Sequence, residues 1–211
     1  MPKTTPFEKY FDRYEEWFLH YSPVYKSELE AVRRHLPEDG RGIEIGVGSG
    51  LFAQPLNIRN GLEPSKQMGK LALKRGVNII KGVAEDLPIE NDFYDYALMV
   101  TTICFLDDVP QSIREAKRIL KPGGRLIIGL VDRDSPIGKL YQKYQSENVF
   151  YRDAVFYTTQ EVVEFMKQAG FKDFSFTQTV FNMLDEIREP EQVKEGYGEG
   201  SFVVISAENG K

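Results

Sequence analysis

The sequence predicts an α/β protein built on a largely parallel sheet, and three observations carry the prediction. An apolar strand at 42–45 runs straight into Gly46, Gly48 and Gly50, glycines at every second residue. The run YDYALMV at 94–100 is apolar without alternation, as strands covered on both faces are. Between such runs lie stretches of helical periodicity, with no internal repeat or low-complexity tract.

Taken in order, residues from about Phe7 to Leu36 read as helical. Phe7, Phe11, Tyr14, Trp17 and Phe18 recur near helical spacing, and Pro23 breaks the stretch in two. Pro37, Asp39 and Gly40 turn the chain into the first strand. A second strand, Ile58 to Leu62, ends at Glu63; Pro64 and Ser65 then open a helix that Gly76 stops. Val77 to Lys81 is a third strand and Tyr94 to Thr101 a fourth. Pro110 to Leu120 follows as an amphipathic helix, with Ile113, Ala116, Ile119 and Leu120 on one side. Pro122, Gly123 and Gly124 turn into a fifth strand, Arg125 to Val131. Residues 132–157 hold no clear core element but carry Tyr141, Tyr144, Phe150, Tyr151, Phe156 and Tyr157, and read as an inserted lid. A helix capped by Thr158 or Thr159 runs to Ala169. Strands at Asp173 to Val180 and Phe202 to Ser206, suited to antiparallel pairing, flank an acidic Gly/Glu-rich loop.

Composition narrows the function. The 211 residues suffice for one well-buried domain spanning 1–211, with 1–37 as an N-terminal helical cap. No apolar run of about 18 residues exists to span a bilayer, and the N-terminal segment lacks the apolar core of a signal peptide. The expectation is a cytoplasmic protein without membrane partners. Its formal net charge of −5 argues against a nucleic-acid surface; Lys66, Lys70, Lys74 and Arg75 read as one solvated helix face. One cysteine, Cys104, and two histidines, His20 and His35, offer no metal-binding spacing, so no metal is expected. Cys104 reads as a small buried hydrophobe.

The glycine loop carries the chemistry. A dinucleotide fingerprint wants a third glycine three residues after the second, and that position is Leu51. Glu44, just before the loop, favours a ligand with a cationic or donor-rich end over a pyrophosphate. S-adenosylmethionine, with an ammonium, a sulfonium and ribose hydroxyls but no phosphate, has that character.

Five segments in order, GIEIGVGSG at 42–50, LEPS at 62–65, GVAEDLPIENDFYDYALMV at 82–100, REAKRILKPGGRLIIG at 114–129 and TTQEVVEFMKQAGF at 158–171, resemble the class I S-adenosylmethionine-dependent methyltransferases. Within them the chain is similar to the small-molecule branch that includes ubiquinone and menaquinone biosynthesis methyltransferases. The resemblance implies a Rossmann-like, seven-stranded, mostly parallel sheet with helices on both faces and one antiparallel strand. It implies S-adenosylmethionine as cofactor, S-adenosylhomocysteine as product, and a ligand lying across the C-terminal strand ends. It places Glu44, Gly46, Gly48 and Gly50 at the methionine end and Glu63, followed by Pro64, on the ribose hydroxyls. Ala84 and Glu85 fall at adenine, Thr101 near the methyl group, and Tyr14 and Trp17 over the cofactor. Many relatives carry aspartate at the position of Val83, so the contact to the adenine amine shifts to Glu85 or Asp86, or is absent.

The fourth strand is followed by TTICF and not by the Asn/Asp-Pro-Pro-aromatic motif of amino-methylating nucleic-acid enzymes. The expected acceptor is a small molecule: an amine, for which the aromatics and acids of 132–157 are suited, or a phenol or quinone. No catalytic residue is assigned, because methyl transfer from a sulfonium rests on positioning. Oligomeric state stays open. Two other classes remain on the sequence: a nicotinamide-dependent oxidoreductase, disfavoured by Leu51 and the LKPGG turn, and a catalytically silent cofactor-binding or scaffold protein.

Overall fold

Prolines and aromatics divide the first part of the chain, and the computed structural model, which describes residues 3–211, resolves it into three helices. These are α1 (Thr5–Lys9), α2 (Phe11–His20) and α3 (Ser22–Arg33). Pro6 and Pro23 each sit in a first helical turn, where a missing N–H breaks no bond. The Pro23 break is therefore the start of a helix, and a further break at Tyr10 separates α1 from α2.

The sheet follows from the apolar runs. Its strands are β1 (Gly42–Ile45), β2 (Asn60–Leu62), β3 (Asn78–Ile80), β4 (Tyr94–Val100), β5 (Leu120–Val131), β6 (Phe171–Thr179), β7 (Lys194–Glu195) and β8 (Phe202–Asn209). Their spatial order is β3-β2-β1-β4-β5-β8-β6-β7. β1 pairs in parallel with β2 and β4, and β4 with β5; β8 runs antiparallel to β5 and β6. The chain leaves β1 outward to β2 and β3 and returns to β4 on the other side. That reversal opens a crevice at the C-terminal ends of β1 and β4.

Both faces of the sheet are covered, and alternate residues of a strand go to different layers. Ala97 and Met99 of β4 join Ile43, Ile45 and Ile128 in one core, against Ile113 of α5 (Val109–Ile119) and Val162 of α7 (Thr159–Gln168). Tyr96, Leu98 and Val100 join Ile127 and Phe202 in the other, against Phe18, Val24 and Val32 of α2 and α3. Thr158 caps α7 in a reciprocal capping box with Glu161, and Ser65 caps α4 (Lys66–Lys74) through Met68 N–H.

Two expectations are corrected here. The sheet has eight strands, not seven, and a second strand opposes β6: the two-residue β7, drawn from the acidic loop and paired Thr177↔Glu195 and Gln178↔Lys194. The Gln178 side-chain carbonyl accepts from Glu199 and Gly200 N–H, both at 2.8 Å, so a tertiary contact shapes that loop. Residues 132–157 do contain a core element, α6 (Pro136–Lys143), capped by Ser135 with Ile137 buried. Among the described residues no helix is long and apolar enough to cross a membrane.

Candidate active site

β1 ends where its side chains cease and its backbone turns. Gly46 and Gly48 adopt φ of +72° and +55°, a region that disfavours any Cβ. Gly46 and Val47 N–H both donate to the Leu62 carbonyl, at 2.8 and 3.0 Å, pinning the loop to the end of β2. A Cβ on Gly46 would lie 2.4 Å from Thr102 Cγ2, so the tight approach requires glycine. Gly50, also at positive φ, turns the chain against Ala72 of α4 and does not line the cleft.

The loop borders an open cleft lined among others by Gly46, Gly48, Glu63, Pro64, Ala84, Glu85, Thr101 and Tyr14. Glu63 stands at its wall with both oxygens engaged: Oε2 accepts from Gly48 N–H and Oε1 from Ser65 N–H, each at 2.8 Å. A carboxylate oxygen has two lone pairs, so each keeps one acceptor position free. Burial pushes the Glu63 carboxyl up to about 7, although the two N–H groups pull it down.

Glu44 lies buried beneath the loop and is not itself part of the cleft lining. Burial holds its carboxyl well above the ordinary range; the Ala53 N–H opposes this and the Glu63 charge adds to it. Its Oε2 is buried with no hydrogen-bond partner among the described residues. An orphaned acceptor under a glycine cradle suits a ligand with a donor-rich or cationic end.

The remaining predicted positions divide. Tyr14 lines the cleft, its hydroxyl 3.5 Å from where a Gly48 Cβ would be. Trp17 lies outside it, packed edge-on against Phe18 at 4.9 Å and beside Tyr21. The Glu85 carboxylate turns away to accept from Asp107 N–H at 2.9 Å, leaving its backbone and that of Ala84 at the cleft. His20 packs on Tyr21, while His35 bonds Thr177 Oγ1 at 3.0 Å and is held down to about 4, first by burial and then by Arg125; neither lines a cavity. Sequence reasoning missed Phe7 and Phe105, whose rings meet edge-on at 5.1 Å over the cleft. For Phe7 the signal existed, since it lies seven residues before Tyr14 on the same helical stripe.

Thr101 joins two spaces. It lines the cleft and also a second, smaller cavity, walled by Cys104, Tyr141, Tyr151, Phe156 and Tyr157. Its φ of +48° is costly for a β-branched residue. The strain is held by its N–H, which donates to the Gly129 carbonyl at 2.8 Å. Cys104 is buried and pushed up to about 12, so it is an inert wall.

A glycine cradle at the switch point of a doubly wound sheet, with buried carboxylates where a phosphate would be repelled, defines an α/β protein that seats a nucleoside cofactor without a pyrophosphate. The sequence profile of the family described as "Methyltransferase domain" matches residues 43–128. A Thermotoga maritima protein of solved structure, described as a SAM-dependent methyltransferase and possible histamine N-methyltransferase, is 51% identical, with a TM-score of 0.96 over 98% of this chain and 99% of that one. An uncharacterised Methanocaldococcus jannaschii protein is 48% identical over 96% of this chain and 98% of its own. The phosphoethanolamine N-methyltransferase 2 of Haemonchus contortus, solved with S-adenosyl-L-methionine, shares the fold at 17% identity and a TM-score of 0.64, over 88% of this chain and 53% of that one. The chain belongs to the class I S-adenosylmethionine-dependent methyltransferases, and the nicotinamide alternative is set aside.

Proposed function

We propose that this enzyme transfers the methyl group of S-adenosylmethionine to a small organic amine held in the aromatic cavity behind Thr101. The observation that carries the reading is the shared wall: Thr101 borders both the cofactor cleft and a tyrosine-lined space. The description of the Thermotoga relative as a possible histamine N-methyltransferase supports an amine over a phenol or quinone.

In this reading Glu63 accepts from the ribose hydroxyls through its two free lone pairs. Glu44 and the Gly46–Gly48 cradle receive the methionine end, and the backbone of Ala84 and Glu85 meets adenine beside Pro64. Tyr14 covers the cleft from the N-terminal helices, and 132–157 serves as the lid over the acceptor. When bound, the cofactor supplies a methyl group already activated on a sulfonium. The chain contributes alignment: a strained Thr101 fixed by Gly129, and aromatic walls that exclude water. Orientation of this kind supplies about 7–11 kcal/mol of a barrier, so a dedicated base is not required.

The test is S-adenosylhomocysteine release from purified enzyme across matched amines, phenols and quinols. Faster turnover with amines is the expected result; turnover confined to phenols or quinols would reassign the acceptor, and none with any acceptor would favour the silent-binder alternative.

A further inference from the structure

Arg75 departs from the solvated basic face to which its sequence neighbours belong. Lys66, Lys70 and Lys74 are exposed along α4, whereas Arg75, at the C-cap of that helix, turns its side chain back to the glycine loop. Its Nη1 donates to the Ser49 carbonyl at 2.9 Å, and its Nη2 donates to Glu15 Oε2 on α2. The pair is partly withdrawn from water, with side-chain exposures of 28% and 24%, and the other Glu15 oxygen is buried with no partner among the described residues. Arg75 lines neither the cleft nor the cavity behind Thr101, so any effect it has on a ligand there passes through its neighbours.

Those neighbours adjoin two walls of the cleft. Ser49 follows Gly48, and Glu15 follows Tyr14; Gly48 and Tyr14 both line the cleft, with the Tyr14 hydroxyl 3.5 Å from the place of a Gly48 Cβ. The N–H groups at the start of the loop are tied to the end of β2, Gly46 and Val47 to the Leu62 carbonyl and Gly48 to Glu63. Carbonyls beyond Gly48 meet helix side chains instead: that of Ser49 meets Arg75, and that of Leu51 meets the Tyr25 hydroxyl of α3. The Arg75 bond joins the loop to the helix that carries Tyr14. A guanidinium presents its donors in a rigid planar fork, so two acceptors held by one fork are held at a set spacing from each other; a lysine ammonium, a point charge on a flexible stem, fixes no such spacing.

We propose that Arg75 is a positioning residue for the cofactor, its one guanidinium holding the glycine loop and Tyr14 at the spacing the bound ligand requires. The inference rests on the reading that seats S-adenosylmethionine between that loop and Tyr14, and it is independent of the acceptor.

The test is calorimetric titration of the purified enzyme with S-adenosylhomocysteine. Arg75→Met and Glu15→Ala each weaken binding by about fivefold or more, on the scale of a partly exposed charge-assisted bond. Arg75→Lys, which keeps the charge and loses the fork, does not restore it. Because Glu15 acts through Tyr14, Glu15→Ala costs less than about twofold once Tyr14 is replaced by leucine, an interaction that a merely stabilising ion pair would not produce. Denaturant unfolding of the ligand-free variants certifies the fold, and if Arg75→Met does not fold, Glu15→Ala, which leaves the bond to Ser49 in place, carries the test. Binding within about twofold of wild type in the folded variants, wild-type binding by Arg75→Lys, or a Glu15→Ala loss undiminished by Tyr14→Leu overturns the proposal. Glu63→Ala and Tyr14→Leu on their own separate the two claims. If both bind S-adenosylhomocysteine as wild type does, the cofactor seat fails and the proposal with it; if both weaken while the Arg75 and Glu15 variants do not, the proposal alone fails.

Discussion

Replacing Glu63 by alanine tests the cofactor seat at its most specific point. Each carboxylate oxygen already accepts one backbone N–H, from Gly48 or Ser65, and keeps one lone pair free, which the proposed ribose contact would use. A hydrogen bond to a charged group contributes about 1.5–3 kcal/mol net, so two amount to about 3–6 kcal/mol. Water entering the space left by the side chain returns part of this, and the expected loss is about 2–4 kcal/mol, roughly 30- to 1,000-fold in Kd. Titration with S-adenosylhomocysteine reads the change. A cofactor analogue lacking both ribose hydroxyls separates causes: it should bind wild type weakly and lose little more in the variant. If Glu63→Ala binds S-adenosylhomocysteine as wild type does, or weakens the analogue just as much, the ribose assignment fails.

Three further outcomes follow from the same geometry. Glu63 has a folded-state carboxyl near 7, and the ribose contacts favour its ionised form; S-adenosylhomocysteine affinity should therefore fall as pH drops from about 7 to 6, by up to about tenfold per unit, and Glu63→Gln should lack that slope. Glu28, raised by burial to about 8 from an ordinary 4.5, binds its proton more tightly folded than unfolded, so its stabilising contribution is complete below 4.5 and is lost as pH rises to 8. Across that window the stability of Glu28→Gln relative to wild type should climb by up to about 5 kcal/mol in denaturant titrations; parallel curves would place Glu28 in a wetter site. Gly46→Ala, forced to φ +72° with its Cβ 2.4 Å from Thr102 Cγ2, should lose about 2–4 kcal/mol of stability, and Thr102→Ser, which deletes that methyl, should recover part of it.

What the sequence made legible was local. The glycine loop, the acid ending β2 and the capping signals at Ser65 and Thr158 each act within a few residues, and each stands where the spacing placed it. The LKPGG segment was equally readable: it bulges between the pairs Tyr94↔Leu120 and Tyr96↔Arg125, with Gly123 at φ +76°. Features that depend on distant partners were not readable. β7 is two residues long and shaped by Gln178, and α6 has only eight residues, too few to impose a clear period. Trp17 and Tyr14 share one helical stripe in the sequence, yet only the fold turns Tyr14 to the cleft and Trp17 into the aromatic packing of α2.

Methyl transfer onto a small amine can be read by incubating the enzyme with S-adenosylmethionine carrying an isotopically labelled methyl group and a mixture of amine, phenol and quinol acceptors, then locating the label in the products by magnetic resonance. Labelled methyl on nitrogen is the expected result. Label on oxygen or carbon, or label that never leaves the cofactor, would overturn the proposed amine methylation.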